Sequence, residues 1–357
     1  MVRNLYVHFP FCRRKCSYCA LHSRAGASED VRRNYVAALT AAIEDGGRSA
    51  LSELETVYFG GGSPALCDLG PLLEALAPYR AENAEFTVEL HPLDVSDGLL
   101  RSLRDGGVNR ISMGVQSLDD AVLADMGRGY TFVEAERAFA LVKKYFDNAG
   151  IDLIVGYPDE SPALTPRHAR LAKWGLRHCS VYSLIFEEKS ILRHRLRPEQ
   201  LPSDDETLNR LSLVARFMEE IGLRRYEISN YSKPGFECRH NLAVWRGEDY
   251  FGLGEGAYGR HGRLRTQNWF SFSTSSISGP AASVAPAAET VSLESDAKER
   301  RLFRLRTREG LDTSGYPAWL PTLDKFVAEG LLTRNGAVYR LTDRGMEVCD
   351  SILAEIV

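Results

Sequence analysis

The chain of 357 residues has no apolar run near the ~20 residues that a membrane-spanning helix needs. Its first ten residues, ending Tyr-Val-His-Phe-Pro, have neither the long apolar stretch nor the small-residue cleavage site of a secretory signal. The expected compartment is therefore the cytoplasm. Excess positive charge is also missing: 44 basic residues face 48 acidic ones, for a net charge of -4. That balance gives no electrostatic reason to expect nucleic acid as a partner. Cysteine is sparse and odd in number, seven in all, which argues against a disulfide framework in a chain without a signal. Repeats with a period of roughly 20–50 residues are absent as well. What remains is an ordinary globular composition, 44% hydrophobic and 26% charged, long enough for one large core and a smaller satellite.

Short apolar runs alternate with amphipathic segments along the first half. Residues 5–9, 56–59, 85–90, 110–115, 151–155 and 180–184 read as strands. Helical spacing appears at 32–44 (Tyr35, Val36, Leu39, Ile43), 69–76, around Leu99 and Leu103 up to Gly106-Gly107, and at 133–142. Such alternation predicts parallel β-α units, and six strands before residue 190 suffice for a barrel or partial barrel. Ligands then belong at the C-terminal strand ends. After Trp269 the composition shifts to Ser, Ala, Gly and Pro, so 271–295 is expected to be a linker or loop. The expected organisation is 1–270 for the barrel with an extension (core about 1–190), then that linker, then 296–357. Helices at 297–307 and 323–329, a strand at 339–342 and a last helix at 343–356 suggest a small winged-helix-like unit. Without a basic stripe, such a unit reads as a packing appendage before it reads as a DNA reader.

Three of the seven cysteines, Cys12, Cys16 and Cys19, fall within eight residues just after the first strand, in a C-x3-C-x2-C arrangement. Soft thiolates at these intervals can converge on one iron–sulfur cubane. Three ligands for four irons leave one iron with an exchangeable position. A structural zinc site needs a fourth ligand, for which His22 is the nearest candidate. The glycine run Gly60-Gly61-Gly62, followed by Ser63, closes the second strand, where a backbone without Cβ atoms lets a ligand approach. Polar residues also stand at or near later strand ends: Glu89, Gln116, Arg128 and Asp152.

With these features the sequence resembles the radical S-adenosylmethionine (SAM) superfamily. Within it, the resemblance is to the group of oxygen-independent coproporphyrinogen III oxidase and the related HemW haem chaperones. It is carried by Tyr-Val-His-Phe-Pro-Phe-Cys, Tyr-Phe-Gly-Gly-Gly-Ser-Pro, Asn-Arg-Ile-Ser-Met-Gly-Val-Gln-Ser, Asp-Leu-Ile-Val-Gly-Tyr-Pro, Tyr-Glu-Ile-Ser-Asn-Tyr-Ser and Gly-Leu-Gly-Glu-Gly-Ala. It implies an α/β fold, a partial (β/α)6 barrel with a C-terminal helical, winged-helix-like domain. It also implies a 4Fe–4S cluster on Cys12, Cys16 and Cys19 and SAM chelating the open iron. Gly61, Gly62 and Ser63 would hold the amino end of SAM, and Arg128 its carboxylate. Glu89 or Asp152 would take the ribose hydroxyls, with Gln116 as a further contact. Tyr6 and Tyr18 would line the cluster loop, Tyr18 stacking on adenine. The implied chemistry is one-electron cleavage of SAM to methionine and a 5′-deoxyadenosyl radical, fed by a donor such as flavodoxin or ferredoxin.

Two departures favour the chaperone branch over the oxidase. The oxidase has a fourth cysteine two residues after the third, where this chain has Leu21. The oxidase also carries an extension ahead of the cluster, where eleven residues stand here. Residues 239–245, Arg-His-Asn-Leu-Ala-Val-Trp, resemble the H-N-x-x-Y-W motif that the branch associates with haem, with Val244 in the tyrosine position. His240 is thus a candidate iron ligand, Trp245 a candidate aromatic contact and Cys238 a further ligand candidate. The implied role is a chaperone that hands haem to haemoproteins. The alternatives are radical decarboxylation of porphyrinogen propionates, or another radical SAM reaction on a tetrapyrrole.

Overall fold

The structure, a computed structural model, describes residues 2–267 and 287–356. β1 (Val2–Phe9) sets a pattern that five later strands repeat. Leu5, Val7 and Phe9 alternate with Asn4, Tyr6 and His8, so one face of the strand is apolar and the other polar. β2 (Leu51–Gly61), β3 (Arg80–Leu90), β4 (Arg110–Gln116), β5 (Ala149–Val155) and β6 (His178–Ser183) follow in chain order, each parallel to its neighbour.

The apolar face forms the main core. Val57, Phe59, Phe86, Val88, Ile111, Met113, Ile151, Leu153 and Val181 are all buried in it. Against them pack α1 (Glu29–Ala50) through Tyr35, Leu39 and Ile43, α2 (Gly70–Leu76) through Leu72 and Leu76, and α3 (Asp97–Asp105) through Leu100 and Leu103. After β4 come α4 (Asp120–Asp125) and α5 (Phe132–Tyr145), and Phe132, Phe139 and Val142 of α5 join the core. A capping box on Thr131 and Glu134 starts α5, and Ser96 caps α3. The expected helices and strands of this half are all present, most of them longer than the apolar residues alone indicate. Strand-helix alternation is therefore a partial barrel of six parallel strands.

Beyond β6 the sheet gains edges that periodicity did not announce. α6 (Pro166–Leu171) lies between β5 and β6; after β6, α7 (Ile191–Arg195) and α8 (Asp204–Glu220) lead to two short strands, β7 (Arg224–Arg225) and β8 (Asn230–Ser232). β8 runs antiparallel to β6, and β7 antiparallel to β8. α9 (Arg239–Trp245) and β9 (Phe251–Leu253) follow, and β9 pairs parallel with β1 at the opposite edge. At two or three residues each, these strands are too short to show an alternation.

β10 (Tyr258–His261), β11 (Leu264–Gln267) and β12 (Ala287–Thr290) form a separate antiparallel sheet. The expected linker at 271–295 is corrected at its end: 287–290 is a strand, and α10 (Leu293–Arg304) has begun by Leu293. Its part at 271–286, and the composition shift at Trp269, lie outside the described residues. A second core then joins α10 to β13 (Leu311–Asp312), α11 (Leu320–Ala328), β14 (Leu332–Asn335) and β15 (Val338–Leu341) through Leu302, Leu311, Leu323, Phe326 and Tyr339. The last helix is not continuous. α12 (Asp343–Glu347) and α13 (Cys349–Ile356) are separated at Val348, whose φ of -120° and ψ of 23° leave the helical region.

Phe59 is fully buried between Phe9 and Phe86, with ring centroids 5.2 and 4.9 Å away. A Phe59→Ala substitution is expected to cost about 3–5 kcal/mol of stability in denaturant unfolding. A cost below about 1 kcal/mol would contradict a close-packed sheet–helix layer here.

Candidate functional site

The cysteine loop leaves β1 at Phe9 and is tied down from several sides. Phe11 and Cys12 pair with Arg24 and Ala25 as a two-residue parallel bridge. Ser17 donates its N–H to the Met126 carbonyl (3.1 Å) and accepts from the Leu192 N–H (2.7 Å). Lys15 Nζ donates to the Leu21 carbonyl and to Ser23 Oγ, both at 2.7 Å. Glu255 holds the far end through Arg24 and through His22 (Nε2–Oε1 2.9 Å). His8 Nε2 lies 2.9 Å from the His22 carbonyl, an acceptor only, so Nε2 carries the proton. Nδ1 then accepts from the Tyr6 hydroxyl at 3.0 Å. Burial lowers the pKa of His8, in keeping with this neutral ring.

All three cysteines of this loop are partly exposed. Burial first, then the Cys19 and Cys16 thiols, pushes the Cys12 thiol up to about 11; burial also raises Cys19. Three sulfurs this close resist ionising together unless cations sit among them. Among the described residues, no three His, Cys, Asp or Glu side chains converge as they would around one metal ion. Three thiolates from one short loop suit a cluster in which each has its own iron. His22, the fourth ligand that a zinc site would need, is turned to Glu255. The residues present fit a 4Fe–4S cluster and do not assemble a zinc site.

The glycine run lies directly against this loop. Gly62 donates its N–H to the Phe9 carbonyl (2.6 Å) and Ser63 to that of Phe11 (2.7 Å), while Gly61 donates to Glu89 Oε2 (3.1 Å). All three N–H groups are therefore spent inside the protein, which leaves carbonyl oxygens as what the run can offer an ammonium group. The Ser63 hydroxyl is committed to Asp94. A Cβ on Gly62 would lie 2.4 Å from the Phe11 oxygen and 2.9 Å from Cys12 Sγ, so only glycine fits.

The polar face of the sheet continues the site inward. Tyr58 donates its hydroxyl to Glu89 Oε1 (2.8 Å), and Ser112 donates to Asp152 Oδ1 (3.0 Å). Burial, with Asp152 adding to it, pushes the Glu89 carboxyl up to about 7; burial likewise raises Asp152. Arg128 is buried, with Nε on the Tyr130 hydroxyl (3.0 Å), Nη2 on the Gly114 carbonyl (2.7 Å) and Nη1 3.3 Å from Cys16 Sγ. These partners include no carboxylate. A buried guanidinium in that position suits the carboxylate of a ligand. Gln116, in a left-handed conformation with φ of 70°, folds its side chain back towards Gly114. Tyr18 packs with Met126, Ile154 and Tyr157 beside the loop. Tyr6, Gly61, Gly62, Glu89, Arg128 and Asp152 thus share one region with the cysteines; Gln116 and Tyr18 flank it.

A cleft of about 670 Å³ opens beside the loop, lined by Tyr6, His8, Lys15, Leu21, Lys189, His240, Val244, Tyr250 and Tyr258 among others. His240 is 4% exposed, with Tyr58 and Tyr6 rings 5.2 and 6.3 Å from its own. Burial first, then the Arg110 guanidinium, drops its pKa to about 3, which keeps the ring neutral. Trp245 does not join it. Five residues on, it lies on another side of α9, edge-on to Phe303 (6.0 Å), with Arg306 over its ring. Cys238 is buried against Glu85 (3.5 Å) and does not line the cleft. The sequence motifs give no role to Tyr58, Ser112 or Lys189. Tyr58 had a readable signal in the alternation Thr56, Tyr58, Gly60 opposite Val57 and Phe59.

A family model described as the radical SAM superfamily matches residues 6–172, the stretch that carries the cysteine loop and the first five strands. The coproporphyrinogen III oxidase HemN of Escherichia coli, a radical SAM enzyme, superposes with a TM-score of 0.81 at 20% identity, covering 98% of this chain and 89% of that one. The fold and the cysteine loop are those of a radical SAM protein. Among curated proteins, the heme chaperone HemW of Mycobacterium tuberculosis is 31% identical across 99% of this chain and 94% of its own length. HemW of Bacillus subtilis is 32% identical over 75% of this chain and 73% of its own. The chain belongs to the HemW family. A 4Fe–4S cluster and SAM are the cofactors that the superfamily implies.

Two expectations follow. Gly62→Ala should displace Cys12, so the variant should lose most of the iron and sulfide that wild type retains after anaerobic reconstitution; wild-type iron content would contradict the close fit. Glu89, raised from 4.5 to about 7, holds a proton in the folded chain that the unfolded chain releases. Its contribution to stability is complete below pH 4.5 and is lost as pH rises through 7. In ligand-free protein, the fall in stability over that window should be smaller for Glu89→Gln, by up to about 3 kcal/mol in denaturant titrations. Parallel curves would contradict a buried, protonated Glu89.

Proposed function

We propose that this protein binds haem in the cleft above His240 and acts as a haem chaperone, with a 4Fe–4S cluster and SAM held at the adjoining strand ends. The observation that carries the reading is His240 itself: a neutral, buried imidazole whose Nε2 has no hydrogen-bond partner among the described residues, lining an open cleft. A neutral imidazole nitrogen is a good ligand for haem iron. The cleft margin fits a flat apolar ring with acidic arms. Leu21 and Tyr258 are 55% and 60% exposed there, and Lys15 and Lys189 bring positive charge to where propionates would lie. Kinship with proteins named heme chaperone HemW supports the same reading.

Cys12, Cys16 and Cys19 would hold the cluster. Tyr6, the carbonyls of the Gly61–Gly62 run, Ser63, Glu89, Arg128, Asp152, Gln116 and Tyr18 would surround SAM. The chemistry that a reduced cluster supplies when bound is delivery of one electron to SAM. The chain's own part is to fix the ligand's carboxylate at Arg128, its hydroxyls at Glu89 and Asp152, and to seal the site with the cysteine loop. A flavodoxin or ferredoxin would provide the electron, and haemoproteins would receive the haem. His240, held from below, would offer its nitrogen without moving a proton.

Trp245 has no place in this account, because its ring is turned to Phe303 of α10 and to Arg306. Titrating the reconstituted protein with haem should give a saturable absorption change near one haem per chain. His240→Ala should shift or abolish that spectrum. Conversion of coproporphyrinogen III in the presence of SAM and reductant would instead establish the oxidase activity and end the chaperone reading.

A further inference from the structure

We propose that Asn4 and Thr56, two neighbours on one rung of the sheet, set the tautomer of His240 and thereby make its Nε2 the ligating atom. The proposal rests on the haem reading above and adds positioning residues to it. Asn4 on β1 and Thr56 on β2 are register partners, and Thr56 is in turn the partner of Glu85 on β3. All three side chains are buried on the polar face of the sheet, against α9.

The proton positions follow from which atoms can only accept. Asn4 Nδ2 lies 3.1 Å from the carbonyl of Asp249 and 3.4 Å from Glu248 Oε2. A carbonyl cannot donate, so the amide nitrogen faces Asp249 and Oδ1 faces Thr56. Thr56 donates its only hydroxyl proton to Asn4 Oδ1 at 2.9 Å. Its oxygen, 2.8 Å from His240 Nδ1, is left able only to accept, so Nδ1 carries the N–H. In a neutral ring the lone pair is then on Nε2. Such a partner on the other ring nitrogen is how proteins fix which nitrogen meets a metal.

Glu85 completes the rung by fixing the backbone. Its Oε1 accepts from the His240 N–H (3.0 Å) and its Oε2 from the Arg239 N–H (3.0 Å). Ring and main chain of His240 are thus held by three adjacent strands. Every link from Asp249 to Nδ1 is used, and the atom left over is Nε2.

Nitrogen-15 NMR of histidine-labelled, haem-free full-length protein tests the relay, with the His240 signals assigned by their loss in His240→Ala. Wild type should show a protonated Nδ1 and a bare Nε2. Thr56→Val, which removes the acceptor, should bring up the Nε2-protonated form and weaken haem binding by about 10–100-fold. Asn4→Leu, which frees the Thr56 proton to point at Nδ1, should act in the same direction. Thr56→Ser should restore both the nitrogen shifts and the affinity, and so separates the relay from a folding defect. An unchanged Nδ1–H signal with unchanged haem affinity in Thr56→Val overturns the relay and leaves the haem reading standing. If His240→Ala binds haem with an unaltered spectrum, the haem reading fails first and the relay loses its purpose.

Discussion

A parallel sheet that turns polar side chains towards its own interior must give each of them a partner, because a buried donor or acceptor left alone costs ~1–3 kcal/mol. The rest of this structure follows from that requirement. On the outer face, Leu5, Val57, Phe86 and Ile111 meet helices as in any α/β layer. On the inner face stand Asn4, Tyr6 and His8, then Thr56 and Tyr58, then Glu85, Thr87 and Glu89, then Arg110 and Ser112. Tyr6 meets His8 along β1, and the others satisfy one another across the strands: Thr56 with Asn4, Tyr58 with Glu89, Ser112 with Asp152. Two groups on this side suit a ligand: Arg128, whose partners include no carboxylate, and His240 Nε2, which has no hydrogen-bond partner among the described residues, while Arg110 Nε is left unpaired.

The same economy governs the loop of cysteines. Its three thiols are brought together by clamps that involve no thiol: the Phe11–Arg24 bridge, the Ser17 backbone bonds and the Glu255 grip on His22 and Arg24. Gly62 lets the end of β2 slide beneath that loop. Cluster site and strand ends are therefore one construction, and the ligand region begins where the loop meets the glycines. α9 enters from the other end of the interior and brings His240 to the cleft beneath the Tyr6 and Tyr58 rings.

Much of this was legible in the sequence, for a physical reason. Cysteines at C-x3-C-x2-C, a glycine run after a strand and strand–helix alternation are local patterns, and local patterns survive in one dimension. The inner polar face is legible too, in the alternation Asn4-Leu5-Tyr6-Val7-His8-Phe9. What could not be read depends on distant pairing. β9 joins β1 from more than 240 residues away, and β8 turns back on β6 over only three residues. Trp245 shows the opposite failure: its motif neighbour His240 lines the cleft, but helical geometry carries the tryptophan round to Phe303. The break at Val348 likewise left no Pro or Gly at the position to announce it.

The central claim is that three thiolates from one clamped loop hold a four-iron cluster and leave one iron open to SAM. Mössbauer spectroscopy of protein reconstituted anaerobically with iron-57 tests it most directly, recorded with and without SAM. The account predicts a 4Fe–4S spectrum in which one iron of the four separates from the others when SAM is added. Four irons that do not respond to SAM, or the spectrum of a single sulfur-ligated iron, would contradict it.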